Sequence, residues 1–198
     1  IRCSGVTVYS ANYRDKWRKK LSENKTTRLI VEELWVQLDQ LHASKERLKK
    51  NIRIQSKRYP EIKQFMQIPG IGLIHAVTIS AIIETPHRFA NKKKLWMYAG
   101  VGLMERRSGE KVYSRKLTRE YNRPLKNAIK QAVQASIHAH DNQFRRQYLR
   151  LTLKKGLASH KAKLTVARSM LAALYGMWKK GEAYDPKIDI KRNSEEKK

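Results

Sequence analysis

One cysteine, Cys3, in 198 residues leaves nothing to pair with in a disulfide and no Cys-based metal site. So sparing a use of thiols fits a reducing compartment, and the expectation is a cytoplasmic protein. Acidic side chains are scarce as well, with 17 Asp and Glu facing 44 Lys and Arg, a formal net charge of +27. That shortage argues against the clustered carboxylates that hold catalytic Mg²⁺ ions, and no metal site is expected in this chain. Long hydrophobic runs are missing too. Gln64–Ile83 carries no charged residue, but Pro69-Gly70 breaks it and Gln64, Gln67, His75, Thr78 and Ser80 interrupt it. Two short buried helices explain the stretch better than a membrane span, so no membrane partner is expected. The N-terminal residues lack the apolar stretch of a signal peptide.

What is present is a chain that is 40% hydrophobic, enough to bury a core, with a large surplus of positive charge. The surplus is an argument about partners rather than fold. It points first to nucleic acid, ahead of an anionic membrane or an acidic protein.

The pattern along the chain is helical. Residues 1–24 read as loop, with Tyr9, Tyr13 and Trp17 available for packing. From about Thr26 to Tyr59, Val31, Leu34, Leu38, Leu41, Lys45, Leu48 and Ile52 recur at spacings of three and four. This is a heptad seam with one polar position at Lys45. It fits either a helix packed on its own domain or a coiled coil that makes a homo-oligomer through residues 31–52. Pro60 suits the first turn of a helix over Pro60–Gln67. A further helix is expected over Leu73–Glu84, with Ile74, Val77, Ile79, Ala81, Ile82 and Ile83 deeply buried. Thr85-Pro86 ends it. Asn91 caps Lys92–Ala99, and Gly100 stops it. Later helices are expected over Arg123–Ala139, Gln143–Lys155 and Lys161–Lys180, the last capped by Ser159 and closed by Gly181. The tail 187–198 reads as disordered. The chain therefore reads as all-α: a segment and coiled-coil-like arm over 1–59, a compact helical domain over 60–186, and the tail.

Two stretches carry the functional interest. The first is Ile68-Pro69-Gly70-Ile71-Gly72, a tight turn between two apolar helices. It reads as a helix-hairpin-helix in which Gly70, Ile71 and Gly72 present backbone N–H groups to a nucleic-acid phosphate. The plainer reading is a structural αα-hairpin. The second lies within residues 102–120, which lack helical periodicity, although Val112-Tyr113 and its surroundings could form a short hairpin. Over residues 85–130, 13 Lys and Arg face 3 Glu. Arg106, Arg107, Lys111, Arg115, Lys116 and Arg119 are the expected phosphate contacts. Ser108, between Arg106-Arg107 and Gly109, could attack a phosphodiester if its hydroxyl were activated and the developing charge stabilised. On residues alone, a solvated loop accounts for this stretch as well. The pair His138 and His140 shares no helical face and forms no ligand set.

The ordered series Ile68–Gly72, Arg88-Phe89, Leu95-Trp96-x-Tyr98-Ala99-Gly100, Ser108-Gly109, Asn122-Arg123-Pro124-Leu125-Lys126 and Lys180-Gly181-Glu182-x-Tyr184-Asp185-Pro186 resembles the C-terminal half of DEDD-type insertion-sequence transposases, relatives of the Piv and MooV DNA invertases. Val8-Tyr9-Ser10 with Arg14-Asp15-x-Trp17 resembles the segment before the linker helix in some members. The resemblance implies a helical transposase domain joined through a coiled-coil arm to an N-terminal RuvC-like domain that carries the acidic residues and Mg²⁺. It implies DNA as substrate, a structured guide RNA as partner, a prokaryotic, nucleoid-associated setting, and Ser108 as the nucleophile of a phosphoserine intermediate. The chain departs from the pattern in two ways. Nothing before residue 60 offers a spaced acidic set, so the RuvC-like half was either removed or lost, or is supplied separately, and this chain alone is expected to be inactive. And Tyr121 stands where the family often has glycine. The alternative from another class is a non-enzymatic helix-hairpin-helix module or an inactive transposase remnant.

Overall fold

The computed structural model describes residues 8–21, 24–108 and 111–186, with the backbone alone at 105–108 and 111–115. The expected disordered tail at 187–198 lies outside them. The described residues form eight α-helices and one two-stranded antiparallel hairpin, so the fold is all-α as the periodicity indicated. The chain divides into two compact units, Ile1–Asn51 and Ile52–Lys198.

The first unit is built around one tryptophan. Residues read as loop in fact fold into a 3₁₀ turn, Ala11–Tyr13, and a helix, α1 (Arg14–Lys20). The cause is Trp35, on the long helix α2 (Lys25–Ser56). Its ring is buried beneath the guanidiniums of Arg14 and Arg18, and its Nε1 donates to the Val8 carbonyl at 3.0 Å. Arg14 also forms two hydrogen bonds with the Asp39 carboxylate, at 2.6 and 2.7 Å. These long-range contacts order a segment whose own periodicity is too short to signal a helix. The seam residues Leu34, Leu41 and Leu48 remain exposed at 56, 68 and 58%.

The second unit packs its helices around a common core. In order these are α3 (Pro60–Phe65), α4 (Leu73–Ile83), α5 (Lys92–Tyr98), α6 (Arg123–His138), α7 (Gln143–Leu149) and α8 (Ser159–Lys180). On α6, Leu125, Ala128, Ile129, Ala132, Val133, Ser136 and Ile137 are buried, an uninterrupted stripe at spacings of three and four. α4 packs on one side of α6 and α8 on another. Burying each large side chain of such a stripe contributes about 1.5–3 kcal/mol. Phe65 of α3 meets Trp178 of α8 edge-on, with centroids 4.9 Å apart.

Helix ends follow their local chemistry. Asn91, Asn122 and Asn142 each cap a helix, accepting from Lys93 and Lys94, from Leu125, and from Phe144 and Arg145 respectively. Gly181 closes α8 in the left-handed region. Three expectations need correction. Ala158, not Ser159, is the N-cap of α8, and it provides no side-chain cap. Ser159 is instead the first helical residue, with its hydroxyl 2.9 Å from that of Tyr148. On α4 the buried face is Ala76, Ile79, Ser80 and Ile83, while Ile74 and Ala81 are exposed. A helix that is apolar all round gives no sign of which face its neighbour will cover. Lastly, α7 stops at Leu149 and gives way to a π turn over Arg150–Lys154.

Candidate nucleic-acid interface

The turn between α3 and α4 is closed by the Ile71 N–H, which donates to the Ile68 carbonyl at 3.0 Å. Pro69 precedes Gly70, whose φ is +92°. This is the arrangement of a type II turn, in which the third position needs positive φ. A Cβ on Gly70 would strike the Ala132 carbonyl oxygen and approach Ser136 Cβ and N at 2.8 Å. Gly70 thus lets the turn sit directly on the backbone of α6, and Ile68 and Ile71 are buried on either side of it. Gly72 differs. It is the N-cap of α4 with ordinary extended backbone, it is exposed, and a Cβ there would meet nothing within 4 Å. No side chain caps α4, so the N–H groups of its first turn are bonded by no capping residue.

The basic stretch forms an antiparallel pair, β1 (Leu103–Ser108) and β2 (Lys111–Leu117). Leu103 faces Leu117 at the base, and Ser108 faces Lys111 in the last pair before the connection. An irregularity between Arg106 and Arg107 shifts the register there. The hairpin therefore carries Ser108 at its end and brings Arg106 opposite Ser114 and Glu105 opposite Arg115 along the backbone. The side chains of Arg106, Arg107, Ser108, Lys111 and Arg115 lie outside the described residues. Lys116 and Arg119 are exposed at the other end of β2.

A groove of about 640 Å³ runs between α6, the start of α8 and Leu117. Lys126, Lys130, Lys163 and His160 line it over a floor that includes Val133 and Leu164. The Lys126 ammonium also sits 3.8 Å from the centroid of Tyr121. These groups were missed as site residues, although a signal existed: Lys126 and Lys130 are four apart on one face of a helix, along the edge of its apolar stripe. What could not be read is that α8 delivers His160 and Lys163 to that face.

Several residues of the ordered series prove to hold the fold. The Arg88 Nη1 donates to the Ile82 carbonyl at 3.0 Å, and the guanidinium lies over Phe89 and Tyr98. Asn122 donates through Nδ2 to the Tyr98 hydroxyl and through its own N–H to the Tyr98 carbonyl. Tyr121 covers Gly100, where a Cβ would come within 2.5 Å of the ring. The Tyr184 N–H donates to Gln67 Oε1, tying the C-terminal motif to the turn.

Among the described residues no three His, Cys, Asp or Glu side chains converge on a point, and no helix is long and apolar enough to cross a membrane. The second unit is thus a helical domain that displays a basic β-hairpin and a lysine-lined groove. Its central part, residues 62–149, matches the family model described as Transposase IS116/IS110/IS902 family. The match runs from within α3 to the end of α7, and it supports an insertion-sequence transposase family and a transposase-related function. A search of curated proteins found no match.

Proposed function

We propose that this chain is the DNA-binding, serine-bearing C-terminal portion of a DEDD-type transposase, acting in strand exchange together with a RuvC-like acidic half. The observation that carries the reading is the family match over residues 62–149, which spans both the Ile68–Gly72 turn and the hairpin ending at Ser108. In this mechanism Ser108 Oγ bonds to phosphorus and the bond from phosphorus to a DNA hydroxyl oxygen breaks. The serine proton passes in net to the departing oxygen, leaving DNA held as a phosphoserine ester. Arg106, Arg107, Lys111, Arg115, Lys116 and Arg119 neutralise phosphates and the charge that develops on the attacked one. The Ile68–Gly72 turn acts as a helix-hairpin-helix, with the N–H groups at Gly70 and Gly72 facing the backbone of the DNA. The Ile71 N–H, expected to do the same, is instead bonded to the Ile68 carbonyl and closes the turn. Mg²⁺ is the ion of the acidic half in this reading. A structured guide RNA is the second nucleic-acid partner. The exposed Leu34, Leu41 and Leu48 support a homo-oligomer made through residues 31–52.

The test is Ser108→Ala in a chain complemented with a RuvC-like half. DNA binding is expected to persist while the covalent adduct and strand exchange disappear. Recombination at the original rate would remove Ser108 from the mechanism and leave a non-enzymatic binding module.

A further inference from the structure

A second cavity, of about 580 Å³, opens between α5, the base of β1 and α8, within the same unit as the hairpin. Its polar lining consists of donors. Lys93 and Lys94 stand exposed at one side, and the Arg168 guanidinium reaches it from the middle of α8. Its Nε donates to the Val101 carbonyl at 2.9 Å. Among the described residues no carboxylate lines the cavity. Burial pulls the Arg168 pKa below its ordinary value, as expected for a cation removed from water without a counter-charge. The rest of the lining includes the indole of Trp96 with Met97 and Leu103. The Trp96 Nε1–H is buried and has no acceptor.

A partly desolvated guanidinium without an anion is costly, and it meets the Trp96 side chain at one cavity. A ligand that carries negative charge would satisfy it. The space is too large for a phosphate alone, and its apolar part suits a base.

We infer that this cavity binds one nucleotide of a nucleic-acid strand, with its phosphate on Arg168, Lys93 and Lys94 and its base against Trp96, Met97 and Leu103. The proposal rests on the nucleic-acid reading above and names a site for it apart from the turn and the hairpin end. Arginine's fork suits the phosphate, and the indole offers apolar surface for the base. Gly102, bare of Cβ, lies close against Met97 in the cavity wall: a Cβ there would stand 2.5 Å from the Met97 sulfur.

The experiment is a titration of the full chain with a fluorescein-labelled, single-stranded oligodeoxythymidylate at fixed salt, read by anisotropy and by tryptophan emission. The wild-type chain should bind with quenched tryptophan emission. Arg168→Gln should weaken binding about tenfold or more, the loss of a charge-assisted hydrogen bond. Trp96→Phe should weaken it less and abolish most of the quenching. The double variant Lys93→Gln, Lys94→Gln, which alters only exposed side chains, should lower the slope of log affinity against log salt by about 1 or more. It carries the test if Arg168→Gln proves unfolded by circular dichroism. No binding by the wild-type chain would overturn the functional reading itself. Wild-type binding that is unchanged in affinity, quenching and salt slope in these variants would overturn this site alone. Inorganic phosphate displacing the oligonucleotide at equal concentration would also overturn it, by showing an anion site with no place for a base.

Discussion

Gly70 and Gly72 look alike in the sequence and should behave in opposite ways when given a methyl group. At Gly70 the backbone sits at φ +92°, where an L-residue pays about 1–2 kcal/mol. The new Cβ would also press on the Ala132 carbonyl oxygen and on Ser136, backbone and packed side chain that have little room to yield. Overpacking of that kind costs about 1–3 kcal/mol. The sum for Gly70→Ala is about 2–5 kcal/mol, a large part of the roughly 5–15 kcal/mol that holds a domain together. At Gly72 the backbone is extended and the space is open, so Gly72→Ala should cost under about 1 kcal/mol. Urea unfolding followed by circular dichroism measures both. Equal losses in the two variants, or a loss under about 1 kcal/mol at Gly70, would refute the packing argument. The difference also decides how the phosphate-binding reading must be tested. Weaker DNA binding by Gly70→Ala would be confounded with unfolding. Gly72→Ala leaves the fold intact while placing a methyl at the start of α4. Unchanged DNA affinity in that variant would reduce the turn to a structural brace.

Asn142 caps α7 through Phe144 and Arg145 and is bonded to Ser136 on both its carbonyl and its hydroxyl, so Asn142→Ala should cost about 2 kcal/mol in the same unfolding assay. In the first unit, hydrogen bonding to Arg14 holds the Asp39 carboxyl below its ordinary value. A depressed carboxylate pKa gives a contribution that is present above the unfolded value and lost as pH falls through the folded one. An NMR titration should therefore find Asp39 protonating later than a free aspartate, and Arg14→Gln should return it to the ordinary range. Leu41→Lys, which places a charge at an exposed position of the seam, should leave the helical content unchanged and shift the chain to monomer in sedimentation. A species that is monomeric before the substitution would remove the coiled-coil arm.

The helices of the second unit were legible because each carries its own signal. The stripe from Leu125 to Ile137, the cap at Asn91 and the stop at Gly181 act over one or two turns, and such signals survive in a linear reading. α1 was not legible, because what orders it is Trp35, some twenty positions away along the chain, with Arg14 and Arg18 folded over its ring. The hairpin was visible as a lapse in helical period and in Val112-Tyr113, but its register was not, since short strands rich in charged residues show little alternation.

The sequence by itself determined an all-α chain with a large positive charge, a glycine turn between apolar helices and a serine set among arginines. Each of these follows from residue type and local spacing. Only the tertiary structure decided which glycine is held by packing and which is free, because that depends on where α6 passes. It also decided that α8 brings His160 and Lys163 to the lysines of α6, and Arg168 to Trp96. Charge along a chain adds up without regard to order, but a binding site needs charges to converge, and convergence is a property of packed helices rather than of the string that encodes them.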